Sequence, residues 1–175
     1  FTESLLEGVG ADLDILTFWA LGSFVEMHKN LSMETYGHAD SLIFERTTSC
    51  WGEFAENEES NELYLDTCFG RDAGYMMQHP ARDRHTGSTL LLRDLNNDGT
   101  KELLLGDVDY PQLVFLLNDG TPEYAHMASF ELEYPSPNHP AWIYSMPAAA
   151  TIDVNNDGLD DLLASPFDPN PFVTQ

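Results

Sequence analysis

"DLNNDGTKELLLGD" (94–107) and "DVNNDGLDDLLAS" (153–165) are near copies of one acidic phrase. Asp94 and Asp153 stand 59 residues apart (153 − 94), longer than most solenoid repeats and suited to one propeller blade with its loops. Apolar runs precede each copy, "TLLLR" (89–93) and "AAATI" (148–152), and others follow, "ELLLGDV" (102–108) and "DLLAS" (161–165). These runs are too short for helices and are bounded by turn residues, so they are expected to be strands. The first copy continues into "QLVFLLNDG" (112–120) and "ASFELEY" (128–134). Four strands with tight connections are the content of one blade.

Within each phrase, side-chain oxygens recur at positions 1, 3, 5 and 9. They belong to Asp94, Asn96, Asp98 and Glu102 in the first copy and to Asp153, Asn155, Asp157 and Asp161 in the second. Alternate oxygens on a tight loop converge on one point, and Gly99 or Gly158 at position 6 permits the bend. Thr100 and Leu159 at position 7 are expected to offer backbone carbonyls. A donor set made only of hard oxygens suits Ca²⁺, with Mg²⁺ second because it keeps more waters. An EF-hand or dockerin-type loop needs a carboxylate at position 12, where Leu105 and Ala164 stand, and an EF-hand also needs flanking helices. A metal-free acidic turn is the plainer alternative. Its repetition with matched oxygens favours a cation, because clustered carboxylates repel unless a divalent ion neutralises them.

The two phrases resemble the FG-GAP/VCBS repeats of integrin α-subunit propellers and many secreted bacterial proteins. That pattern is D-x-[DN]-x-D-G-x-x-[DE] followed by an apolar strand; the likeness covers roughly 87–168 and, weakly, 12–29. The run "ILTFWALGSFVEMHKNLSMETYGHADS" (15–41) looks like exported propeller proteins of Bacteroidota. The resemblance implies a calcium-stabilised β-propeller, usually of seven blades. Two clear repeats and one eroded one do not close a ring, so other blades or subunits of a surface assembly are the expected partners.

The eroded copy is "DLDILTF" (12–18), which sets Asp14 against Glu102 and Asp161, with "LGSFVEMHK" (21–29) as the next strand. The preceding "EGVGA" (7–11) lacks the acidic pattern, so no metal is expected there. The expected division is an eroded blade segment at 1–29, an insertion at 30–86, a blade at 87–147 and the start of another at 148–175. The insertion holds Cys50 and Cys68, the chain's two cysteines, without CxxC spacing. One disulfide between them is expected to contribute roughly 3 kcal/mol by closing a short loop. The fold class is thus all-β: four-stranded antiparallel propeller blades, partial at two to three, with a disulfide-tied insertion.

Charge limits the partners. Thirty Asp and Glu against seven Lys and Arg give −23 over 175 residues. Such a polyanion is repelled by nucleic acid and by anionic membranes, and no apolar run is long enough to span a bilayer. The chain begins at Phe1 without a leader-like segment and is expected to be a mature or internal piece. Ten Phe, seven Tyr and three Trp argue for an ordered core. The six His form no HExxH, there is no G-x-S-x-G, and "HPARDRH" (79–85) has the composition of solvated surface, so no catalytic residue is assigned. Phe18, Trp19, Phe24, Trp142 and Tyr144 are expected mainly to pack blades. Trp142, in the Pro-rich "SPNHPAWIYSMP" (136–147), is the candidate to face a carbohydrate or protein ligand. The expected function is an extracellular, calcium-stabilised, non-catalytic module for binding or assembly at the cell surface. A fragment of a secreted polysaccharide-acting enzyme and a scaffold subunit are the alternatives.

Overall fold

The computed structural model describes residues 4–7, 13–19, 23–57, 60–68, 88–144 and 146–167. Four consecutive strands form the first sheet: β1 (Ser4–Glu7), β2 (Leu13–Phe18), β3 (Val25–Asn30) and β4 (Phe44–Thr48). Every pairing is antiparallel. A single helical turn, α1 (Ser32–Tyr36), lies between β3 and β4 and ends on Gly37 in the left-handed region. The second sheet repeats this meander with β7 (Thr89–Arg93), β8 (Glu102–Gly106), β9 (Leu113–Asn118) and β10 (Met127–Glu131). A third begins with β11 (Pro147–Ile152) paired antiparallel to β12 (Asp161–Pro166). The first strands of successive sheets are neighbours, β7 lying against both β1 and β11. The architecture is all-β, built of partial propeller blades.

The first sheet does not stop at residue 29. β4 and α1 both lie in the segment expected to be an insertion, yet β4 pairs with β3 and completes a four-stranded blade. Residues 44–48 are mostly exposed, so their sequence lacks the apolar alternation that would mark a strand.

Beyond β4, the described residues up to 68 form a two-stranded hairpin of β5 (Phe54–Glu56) and β6 (Leu63–Leu65), tied by a disulfide between Cys50 and Cys68; the expected surface segment 79–85 lies outside the described residues. The hairpin staples the first two blades together through the main chain. The Trp51 N–H donates to Val25 O at 2.7 Å, and the Glu56 N–H to Ser23 O at 2.9 Å. On the other side, the Met127 N–H donates to Gly52 O at 2.9 Å, and the Ser88 hydroxyl to Glu56 Oε1 at 2.7 Å. The core follows the same geography. Leu16 and Val25 come from the first blade, Trp51 and Phe54 from the hairpin, and Leu90, Leu103, Leu105, Val114, Leu116 and Met127 from the second. Each such side chain, fully buried, stabilises the fold by about 1.5–3 kcal/mol.

β8 is buried along its whole length, whereas β9 alternates. Burial on both faces explains why "ELLLG" is continuously apolar after its first residue. The third sheet is seated closely on the second. The Thr89 hydroxyl donates to Pro147 O at 2.5 Å, and a Cβ at Gly106 would collide with the Pro147 carbonyl. Only glycine allows that approach.

Glu56 pays for its place in the staple. It shares a small pocket with Leu63, Leu105, Val114 and Asp107. Burial pushes its carboxyl up to about 8; the Ser88 hydroxyl opposes the shift and the Asp107 charge adds to it. A carboxyl raised from 4.5 to about 8 in the folded state binds more protons there than in the unfolded chain across that window. Stability therefore falls as pH rises from about 5 to 8, by up to about 1.4 kcal/mol per unit at the steepest. Glu56→Gln is expected to flatten this slope, measured as the difference between variant and wild type in urea unfolding at pH 5 and pH 8. Parallel slopes would contradict it.

Candidate functional site: the paired acidic loops

Each acidic phrase is the connection between the first and second strands of its sheet. The Arg93–Glu102 pair closes the first loop and the Ile152–Asp161 pair closes the second. Position 9 is thus the opening residue of the second strand in both, which turns its carboxylate back over the loop.

The loops share a hydrogen-bond scaffold built on the first carboxylate. Asp94 accepts the Asp98 N–H at 3.2 Å and the Gly99 N–H at 3.1 Å. Asp153 accepts the Asp157 N–H at 3.1 Å and the Gly158 N–H at 2.8 Å. The position-3 amide oxygens also accept from position 5, at 2.9 Å for Asn96 and 2.8 Å for Asn155. Each Asn then donates its side-chain NH₂ to the position-5 carboxylate, Asp98 at 2.8 Å and Asp157 at 3.0 Å. Position 9 caps the entry: Glu102 accepts the Leu95 N–H at 2.7 Å, and Asp161 the Val154 N–H at 3.1 Å. Position 7 is tied in by its own N–H, from Thr100 to Asp98 and from Leu159 to Asp157, both 2.8 Å.

Two features escaped the sequence reading. Asn97 and Asn156, at position 4, both adopt φ of 61°, and the following glycines lie at 92° and 87°. Asn tolerates the left-handed region better than most residues, and the doubled "NNDG" was its signal. The second is an ion pair between the loops, Arg93 with Asp160. The two are 67 residues apart, and no local pattern announces them.

The copies differ in depth. Glu102 is fully buried, while Asp161 is half-buried and the rest of the second loop is largely exposed. Glu102 also accepts from the Asn96 amide at 3.1 Å, and the Thr100 hydroxyl bonds Asp98 at 2.6 Å and Asn118 O at 3.1 Å. Burial raises the Glu102 pKa, with the Asp98 charge adding to the shift. The Thr100 hydroxyl holds Asp98 below the ordinary carboxylate range, helped by the Thr100 N–H and Asn96. The Gly158 N–H does the same most strongly for Asp153.

The oxygen donors suit a hard cation. A carboxylate has about four lone-pair positions, so Asp94, taking two N–H groups, keeps capacity for an ion. Among the expected ligands, Asp94, Asn96, Asp98 and Glu102 are brought together in one loop and Asp153, Asn155, Asp157 and Asp161 in the other. Asp14, aligned with position 9, instead accepts the Asn30 N–H at 2.8 Å and is buried; the loop before it, 8–12, lies outside the described residues. Trp142 is 62% exposed and Tyr144 is exposed, while Phe24 is buried and Phe18 packs on the core.

Residues 94–164 match the FG-GAP-like repeat. The match runs from the first loop, through the second blade, to the strand after the second loop. No curated protein and no solved structure matches the chain. FG-GAP-like repeats are generally binding or structural modules, and the disulfide and repeat together fit an extracellular protein. No described helix is long and apolar enough to cross a membrane.

Without a cation, the buried Glu102 carboxylate is a liability beside Asp98. Glu102→Gln keeps the Leu95 contact and removes the charge. In calcium-free buffer at pH 7 it is expected to raise the melting temperature by about 2–4 °C, the shift that about 1 kcal/mol gives in a chain of this size. Asp161→Asn, at the shallower equivalent position, is expected to change it less. A lower melting temperature for Glu102→Gln would contradict the assignment of repulsion.

Proposed function

We propose that the chain is an extracellular, non-catalytic β-propeller module in which each acidic loop of the FG-GAP-like repeat region holds one Ca²⁺, and which acts in binding or assembly at the cell surface. The observation that carries the reading is the twin loop: the same four oxygen-bearing positions, on the same scaffold, each closed by a strand pair. Asp94, Asn96, Asp98 and Glu102 would hold one ion, with the Thr100 carbonyl. Asp153, Asn155, Asp157 and Asp161 would hold the other, with the Leu159 carbonyl. A bound ion supplies charge neutralisation, and the side chains and turn hold the strand ends in register around it. Extracellular modules need only weak affinity, about 10⁻⁴ to 10⁻³ M, where calcium is millimolar.

Assembly is supported by the third sheet. Its Leu163 is exposed, as are Phe167 just after it and Val154 and Leu159 in its loop, which suits covering by further blades or subunits. The exposed Trp142 and Tyr144 lie on the connection from the second blade to the third and would present an aromatic surface to a carbohydrate or protein ligand.

Calcium titration by calorimetry on the oxidised chain, with Asp98→Ala and Asp157→Ala beside it, tests the reading. Two sites are expected in the wild type and one in each variant. No calcium heat in the wild type, or two sites surviving in both variants, would remove the loops from the account.

A further inference from the structure

Away from the acidic loops, the staple between the first two blades brings a mixed group of ligating side chains together. Glu53, Asp66 and His126 each place one carboxylate oxygen or ring nitrogen within 4.8 Å of the other two. Glu53 and Asp66 lie inside the loop closed by the Cys50–Cys68 disulfide. The Thr67 N–H donates to Glu53 O at 2.9 Å, which locks the two residues side by side. His126 arrives from the second blade, just before β10, where it forms a bridge with Gly52. Its own backbone is fixed on both sides: its N–H donates to Asn118 Oδ1 at 3.0 Å, and its carbonyl accepts the Asp119 N–H at 3.0 Å.

The ring is oriented by a residue outside that group. Nδ1 lies 2.5 Å from Asp119 Oδ1, while Nε2 faces Asp66 Oδ1 at 2.9 Å. With a carboxylate at each nitrogen the ring carries both protons; once an ion displaced the Nε2 proton, Asp119 would hold the one left on Nδ1, the arrangement typical of metal-bound histidine. Around a tetrahedral ion with bonds of about 2.0–2.2 Å, ligand atoms lie roughly 3.3–3.6 Å apart. The Nε2–Asp66 contact of 2.9 Å would open to admit the ion, and the remaining separations, all within 4.8 Å, would draw in around it. One imidazole with two carboxylates is a donor set for zinc or a similar divalent transition ion, unlike the all-oxygen loops.

We propose that Glu53, Asp66 and His126 form a transition-metal site, distinct from the acidic loops, with Asp119 as the positioning residue for His126. The ion would clip the disulfide-tied hairpin to the second blade, across the seam that the Gly52 bridge already spans. Binding exchanges the proton on Nε2 for the metal, so one proton is released to solvent for each ion taken up by the protonated ring.

The test uses the full oxidised chain in excess calcium, with zinc chloride as the probe, followed by calorimetry and by ¹⁵N spectra of the histidine rings. One zinc site is expected, with the Nε2 resonance of His126 shifting on saturation. His126→Ala is expected to weaken that site at least 100-fold, and Asp119→Asn by 10- to 100-fold. Glu53→Gln and Asp66→Asn, which preserve shape, repeat the test should His126→Ala fail to fold. Zinc that leaves the His126 ring unchanged would overturn the proposal and leave the histidine as a bridge between two carboxylates. Undiminished zinc affinity in the His126 and Asp66 variants would assign the ion to other surface groups and overturn it equally.

Discussion

Asp94 and Asp153 each hold two backbone N–H groups at the point where the chain turns from a first strand into a second. Those N–H groups belong to a bend that no strand partner can serve, and the carboxylate at the loop's first position satisfies them instead. This fixes where the second strand begins. Glu102 and Asp161 then open that strand and turn back over the loop. The same geometry that satisfies the backbone gathers negative charge, and the proposed binding of a cation rests on that gathering. In the first loop the charge at position 9 is costlier, because burial raises the Glu102 pKa and the Asp98 charge adds to the shift.

The blades rest on these turns and on the seams between them. Gly106 lets the Pro147 carbonyl come against β8, and the Thr89 hydroxyl satisfies that carbonyl. At the opposite seam the disulfide-tied hairpin supplies main-chain donors and acceptors to both blades, so the apolar cluster between them is framed by hydrogen bonds. Arg93 and Asp160 join the two loops. Being exposed, the pair contributes at most about 1 kcal/mol.

The part of the fold legible in sequence is the part whose signal is local. "TLLLR", "ELLLG" and "LVFLLN" announce strands by their apolar runs, the twin "NNDG" announces the bends, and two cysteines in one segment announce their pairing. β4 was hidden because "FERTT" is exposed and polar, and its strand identity comes from β3 beside it. The staple was hidden because its bonds join residues far apart, such as Glu56 to Ser88 and Gly52 to Met127. The same holds for the proposed transition-metal site, since His126 meets Asp66 across 60 residues. Within the loops, positions 1, 3, 5 and 9 were readable as oxygen donors. The unequal burial of Glu102 and Asp161 was not, because it depends on what packs above each sheet.

The claim that repulsion among the loop carboxylates governs the stability of the blades is tested most directly by thermal unfolding of the oxidised chain in millimolar calcium and in chelator. The account predicts a clearly lower melting temperature in chelator. A stabilisation of about 2.7 kcal/mol per ion is expected at a hundredfold excess over Kd. Identical melting curves in the two buffers would contradict it.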